Sequence, residues 1–154
     1  MGPFFHIGII VADLDKAIAD FGRVFKVRFN PPSVLPIGMV WKGSTIKHNV
    51  RVTYSIDGPP YLELIESHET GYYSLERGKG IHHVGLWVPD LEKTMSANER
   101  FRMLDIEATL PNKATGCVTS MSAAASLHGV RLELIDERRR PGIEAWIKGG
   151  NFES

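Results

Sequence analysis

Cysteine is almost missing from this chain. Cys117 stands alone among 154 residues, so no disulfide can form within it, which suits a reducing compartment. A surplus of one charge is missing too: Lys and Arg number 18, Asp and Glu number 18, and the formal net charge is zero. No overall field attracts a polyanion, and a nucleic-acid partner is not expected. Long apolar runs are also lacking, since none approaches the roughly 20 residues that a membrane helix needs. The opening residues, MGPFFHIGIIVADLD, lack the basic segment of a secretory leader and meet acids at once. These absences predict a soluble, cytoplasmic protein with no membrane partner. What is present is ordinary for a folded domain: 43% hydrophobic and 23% charged residues exclude general disorder. The length suits a single domain over 1–154 with a core of its own.

The informative feature is an internal repeat. Aligning His6 with His83 brings Gly8 onto Gly85, Val11 onto Val88, Asp13 onto Asp90, Leu14 onto Leu91 and Lys16 onto Lys93. The shared pattern is H-[IV]-G-x-x-V-x-D-L-x-K. A second pair follows, LELIE at 62–66 and LELID at 132–136, which matches Glu63 with Glu133 and Glu66 with Asp136. The offset is shorter in this second pair, so the first copy holds about seven extra residues. DGPP at 57–60 and the stretch around Asn30-Pro31-Pro32 are the places expected to hold them. A repeat of this kind organises the whole reading: module one at about 4–67, module two at about 80–137, and a C-terminal tail over 138–154.

Each copy reads as β-α-β-β-β, an α+β arrangement. HIGIIV and HHVGLWVP are short apolar strands. Asp13 and Asp90 stand where helix N-caps belong, and Leu14, Ala17, Ile18, Phe21 and Phe25 recur at helical spacing. Three strand-like pieces follow each helix: VRF or VLPIGMVW, NVRVTYSI and YLELIE in the first copy, then MLDIEATL, GCVTSMSA and VRLELID in the second. The tail carries a short helical pattern from Ile143 to Lys148, with Ile143 and Trp146 on one face. Arg138-Arg139-Arg140 before it reads as a solvated helix start.

The two ends of each copy carry the chemistry. Alternation along L-E-L-I sets Glu63 on the face opposite Leu62 and Leu64, and Glu133 on the face opposite Leu132 and Leu134. A carboxylate in a sheet interior needs a compensating partner. If a pseudo-twofold axis relates the copies, His6, Glu63, His83 and Glu133 converge. Two imidazoles and two carboxylates are a mixed N/O set that suits one divalent ion: Zn, Ni, Co, Mn or Fe. In six-coordination, two positions stay open to a substrate with adjacent oxygens. Alternation also predicts that His82 faces away from His83, leaving His83 as the ligand. His48, His68 and His128 lack counterparts and read as surface or loop residues. Trp41, Tyr54, Trp87, Phe4 and Met121 are candidate wall residues.

FHIGIIVADLDKAIADF, YLELIE, GIHHVGLWVPDLEKTM and GVRLELID together resemble the vicinal oxygen chelate superfamily, which includes glyoxalase I, methylmalonyl-CoA epimerase, extradiol dioxygenases and bleomycin-resistance proteins. The resemblance covers about residues 4–137. It implies two tandem βαβββ modules forming an open, curved mixed sheet around a metal cleft, and a homodimer. It also implies His6, Glu63, His83 and Glu133 as the ligands, with Glu133 or Glu63 doubling as a catalytic base. The resulting expectation is a metal-dependent isomerase, epimerase or lyase that uses enolate or enediolate chemistry on a small oxygenated substrate. The alternatives are an Fe(II) extradiol-type dioxygenase and a non-enzymatic small-molecule binding protein. Two departures bear on the substrate. Methylmalonyl-CoA epimerases typically have glutamine where Glu63 stands, and they carry a glutamate in a middle strand where NVRVTYS offers only Arg51.

Overall fold

Both copies turn from strand into helix in the same way. Strand β1 (Phe4–Val11) leads to Asp13, whose extended backbone and side-chain carboxylate cap helix α1 (Leu14–Phe25) by accepting from the Lys16 N–H at 2.9 Å. Strand β5 (Gly80–Val88) leads to Asp90, which caps helix α2 (Leu91–Phe101) by accepting from the Lys93 N–H at 2.9 Å. Each cap satisfies one backbone donor that the first helical turn leaves unpaired. Both helices end on a residue in the left-handed region, Lys26 and Arg102.

The computed structural model describes residues 3–112 and 116–150, so the last four residues of the tail lie outside it. After α1 come β2 (Ser33–Trp41), β3 (Ser44–Tyr54) and β4 (Tyr61–Glu66). After α2 come β6 (Ile106–Asn112), β7 (Gly116–Ser122) and β8 (Leu132–Asp136), and then helix α3 (Arg140–Ile147). The βαβββ repeat is therefore present in both halves. VRF is not a strand of its own, because Phe29 makes only an isolated bridge to Ser55. The extra length of the first copy goes mostly into its central hairpin: β2 and β3 run to 9 and 11 residues, where β6 and β7 have 7 each.

The curved mixed sheet closes into a barrel with strand order β1-β4-β3-β2-β6-β7-β8-β5. Two antiparallel seams join the modules. One runs along β1 and β5 from Phe4↔Leu86 to Ile10↔Gly80, and the other is the short contact of Val40↔Thr109 and Trp41↔Ala108 between β2 and β6. Within each module the first and last strands are parallel neighbours. The sheet that the sequence predicts as open thus has no free edge.

Alternation sorts the side chains. Ile9 and Leu64 point outward beneath Leu14 and Ala17 of α1, and Leu86, Val88 and Leu134 point outward beneath Leu91 of α2. The inward set includes Phe5, Val52, Tyr54, Ile65 and Ile135, which pack with Ile143, Trp146 and Ile147 of α3. The apolar face expected for the tail helix is therefore buried against the barrel interior. Removing either N-cap should cost about 1 kcal/mol: D13A and D90A are each expected to lower the free energy of urea unfolding by that amount, seen as a lower midpoint at unchanged slope.

Candidate metal centre

The four predicted side chains meet on the middle four strands of one wall, β4-β1-β5-β8. On one rung of the sheet, Glu63 of β4 lies beside Gly8 of β1, and Gly8 lies opposite His83 of β5. On the neighbouring rung, His6 of β1 lies opposite Gly85 of β5, and Gly85 lies beside Glu133 of β8. Each glycine thus stands between a glutamate and a histidine. A Cβ at Gly8 would come within 2.2 Å of the His83 ring, and one at Gly85 within 2.3 Å of the His6 ring. The H-x-G pattern has a physical cause: each imidazole lies flat over the glycine of the opposite strand, so the two rings reach each other.

The resulting cluster is tight. His6 Nε2 and His83 Nε2 are 2.8 Å apart. Glu63 Oε2 lies 3.3 Å from His6 Nε2 and 3.0 Å from His83 Nε2, and Glu133 Oε2 lies 3.0 and 3.4 Å from the same two atoms. His6 and His83 are fully buried, while the glutamate side chains are 12% and 13% exposed. Metal–ligand distances of about 2.1 Å place neighbouring ligand atoms roughly 3.0 Å apart in an octahedron and about 3.4 Å apart in a tetrahedron. The four His–Glu edges fall in that range, and the 2.8 Å His6–His83 edge lies just below it. Glu63 Oε2 is buried without a well-directed hydrogen bond, as a donor atom facing a cation would be. His6, His83 and Glu133, whose donor atoms lie within 4.8 Å of one another, fit a divalent ion, and Glu63 lies beside the two imidazoles.

Electrostatics sets how this cluster behaves with protons in place of an ion. Burial disfavours the charged form of every member, but the opposite charges outweigh it. Glu63 is held well below the usual carboxylate range, chiefly by His6, and Glu133 chiefly by His83. Against its own burial, His83 is held up to about 10 by Glu133 and Glu63, and His6 is raised in the same way.

The surroundings of the two carboxylates differ. The Tyr54 hydroxyl donates to Glu63 Oε1 at 2.6 Å, and burial beside Glu63 keeps that phenol protonated. Tyr54 pairs with Glu63 across β3 and β4, and the equivalent partner of Glu133 across β7 and β8 is Met121. A thioether thus stands where the first module has a hydroxyl.

His82 does not obey simple alternation. The register between β1 and β5 slips between Gly8↔His83 and Ile9↔Ile81, which makes His82 a bulge residue and turns its ring inward. Its Nδ1 lies 3.0 Å from His83 Nδ1. If His83 held an ion through Nε2, its proton would sit on Nδ1 and His82 Nδ1 would accept it, the usual support for a ligating imidazole. His82 stays neutral, pushed down to about 2 by burial and by its neighbours His83 and Arg131. Arg131 Nη1 donates to the His82 carbonyl at 2.9 Å and pairs with Glu107, which Arg77 and Tyr72 also reach.

Above the cluster lies a cavity of ≈ 80 Å³ with Glu63 and Glu133 in its lining. Of the predicted wall residues only Tyr54 lines it. Phe4 is 62% exposed and its neighbour Phe5 takes the wall position; Trp87 packs on Phe5 at 4.3 Å, Met121 is buried in the core, and Trp41 lies against Tyr72. Arg51 turns away to Asp15 at 2.7 Å and Glu66 at 3.1 Å. His48 and His68 contact each other edge to face, and His128 is exposed.

Two outcomes follow for the protein without bound metal and for its glycines. The raised pKa of His83 contributes stability that is complete below pH 6.5 and is lost as pH climbs toward 10. Melting temperature measured in a chelator should therefore fall across that window, and one equivalent of a divalent ion should restore it. Separately, G8A and G85A should each cost about 1–3 kcal/mol through overpacking and weaken Co(II) binding at least tenfold by calorimetry. G38A, where an added Cβ meets open space, should leave Co(II) binding unchanged.

Comparison with known proteins places this chain in a family. No curated protein matches the chain. A solved structure of a variant methylmalonyl-CoA epimerase from Streptomyces coelicolor, in complex with 2-nitronate-propionyl-CoA, aligns with TM-score 0.64 at 19% identity, covering 88% of this chain and 94% of that one. A hypothetical protein from Bacillus halodurans C-125 aligns with TM-score 0.65 at 20% identity, covering 87% and 93%. Methylmalonyl-CoA epimerase from Mycobacterium tuberculosis gives 0.63 at 18%, covering 86% of each chain. These likenesses describe the fold. The family model of the glyoxalase/bleomycin resistance protein/dioxygenase superfamily matches residues 5–117, and the chain, a vicinal oxygen chelate fold, belongs to that superfamily.

Proposed function

We propose that this protein is a metal-dependent epimerase, isomerase or lyase that moves a proton on the carbon beside a carbonyl in a small oxygenated substrate. One observation carries this reading: on four adjacent strands the two imidazoles meet at 2.8 Å, each carboxylate lies 3.0–3.4 Å from both of them, and both carboxylates open onto a largely apolar cavity. The shared fold of the methylmalonyl-CoA epimerases supports it. His6, Glu63, His83 and Glu133 would hold one Zn, Ni, Co, Mn or Fe ion. When bound, such an ion supplies Lewis-acid polarisation of a substrate oxygen.

The chain's own residues divide the remaining work. The Tyr54 hydroxyl fixes Glu63 and makes it the stationary ligand. Glu133 has no hydroxyl partner among the described residues, and we assign it as the base that takes the carbon-bound proton and returns it. The cavity walls, Leu35, Val50, Val52, Ile65 and Ile135 among them, limit the access of water to that proton. Strand β3 sends Val52 and Tyr54 toward the cavity and Arg51 away from it. No further carboxylate from β3 meets the substrate, so the second glutamate base implied by the likeness to methylmalonyl-CoA epimerase has no counterpart here. The favoured substrate is accordingly not methylmalonyl-CoA itself.

A second reading has its own observation. His6, His83 and Glu133 bring one donor atom each within 4.8 Å of one another, and Tyr54 draws on Glu63. That leaves two histidines and one carboxylate, the ligand set of non-haem Fe(II) oxygenases.

Elemental analysis of untagged protein separates these readings. About one Zn, Ni, Co or Mn per chain is expected, lost in the E63Q/E133Q double variant. E133Q alone should slow exchange of the substrate α-proton with D2O, followed by NMR, by about 10²–10⁴-fold. One iron per chain with oxygen uptake on catechols would instead establish the dioxygenase. No metal after reconstitution would leave a binding protein.

A further inference from the structure

The three consecutive arginines before α3 have different fates. Arg138 pairs with Asp136 at 2.7 Å, and Arg140 pairs with Glu137 at 3.4 Å and Glu144 at 2.7 Å. Arg139 is half-buried and lines the cavity above the metal cluster. Among the described residues it is the only Lys or Arg in that lining, and it has no carboxylate partner there. Among the described residues its guanidinium reaches only the Thr119 hydroxyl, at 3.5 Å. The cavity's own carboxylates, Glu63 and Glu133, are already committed to the two imidazoles. A guanidinium between apolar walls without a counter-charge is costly, and its planar fork suits a carboxylate.

The register gives the spacing. Met121 lies opposite Glu133 on β7 and β8, and Thr119 lies opposite Ile135 two residues further along. Thr119, Glu133 and Ile135 all line the cavity. Two residues of antiparallel strand span about 7 Å, so the hydroxyl that Arg139 reaches is carried about that far along the wall from the Glu133 position. A chain of a few carbons bridges such a gap.

We infer that the substrate is a small 2-oxo or 2-hydroxy acid with a second carboxylate, its adjacent oxygens at the His6/Glu63/His83/Glu133 cluster and its far carboxylate on Arg139. This rests on the metal-dependent reading above and narrows it to a short diacid. Arg139 is then a specificity-determining residue. The sequence reading of the arginine triplet as a solvated helix start holds for Arg138 and fails for Arg139.

The test compares two ligands that differ only in the far carboxylate. Protein loaded with Co(II) is titrated with 2-hydroxybutanedioate and with 2-hydroxybutanoate, and binding is followed by the visible Co(II) spectrum and by calorimetry. The diacid is expected to bind at least tenfold more tightly, consistent with a charged hydrogen bond. R139Q, checked for folding by near-UV circular dichroism, should collapse that gap, and R139K should keep part of it. Equal affinity for the two acids in the unaltered protein, or a gap that survives in R139Q, would overturn the inference and leave the metal reading standing. Failure to bind Co(II), seen before any acid is added, would overturn the metal reading itself.

Discussion

The structure depends on the contact of each imidazole with the glycine across from it. His6 lies over Gly85 and His83 over Gly8, and no other residue type leaves room for a ring there. Because β1 and β5 are antiparallel, the two contacts are related by a local twofold axis. Because β4 and β8 run parallel beside them, Glu63 and Glu133 come to the same two glycines from the outer sides. Four polar groups are thus gathered at the centre of a sheet wall that is otherwise apolar. In that setting each carboxylate and each imidazole holds the other in its charged form against burial.

The duplicated acids fall into two kinds with opposite tasks. Asp13 and Asp90 cap their helices from in front, while Glu66 and Asp136, at the ends of β4 and β8, accept from the Leu14 and Leu91 N–H groups at 3.1 and 3.4 Å. Each helix start is therefore held by one acid of its own loop and one of its module's last strand. Glu63 and Glu133 lie three residues earlier on those last strands and face the other way, into the barrel. The same short segment, LELIE or LELID, anchors a helix on one side and supplies the site on the other. A shift of register by one residue would fail on both counts, which makes the strand pairing strongly specified.

Much of this was legible in the sequence because the repeat made weak local signals reinforce one another. A histidine, a glycine and a cap aspartate recurring together marked the first strands and the helix starts, and the LELIE/LELID pair marked Glu63 and Glu133, which meet His6 and His83 at the centre. What stayed hidden depends on partners far apart in the chain. Closure of the barrel rests on the contact of Val40 and Trp41 with Ala108 and Thr109, a pairing with no local signature. The inward turn of His82 arises from a bulge, which cancels the alternation that the reading relied on. Phe4 and Phe5 are the same residue type in neighbouring positions, and only the tertiary fold decides which one is buried. The three arginines look alike until Asp136, Glu137 and Glu144 claim two of them.

The replacement of Tyr54 by Met121 on the second side breaks the twofold symmetry that the strands impose. The backbone offers two equivalent seats for a carboxylate, but the Glu63 seat carries a phenol that donates to it, while the Glu133 seat has a thioether with no proton to give. Duplication of the fold thus leaves two acids in matched positions with unmatched surroundings, and the two can diverge in behaviour without any change in the strands that hold them.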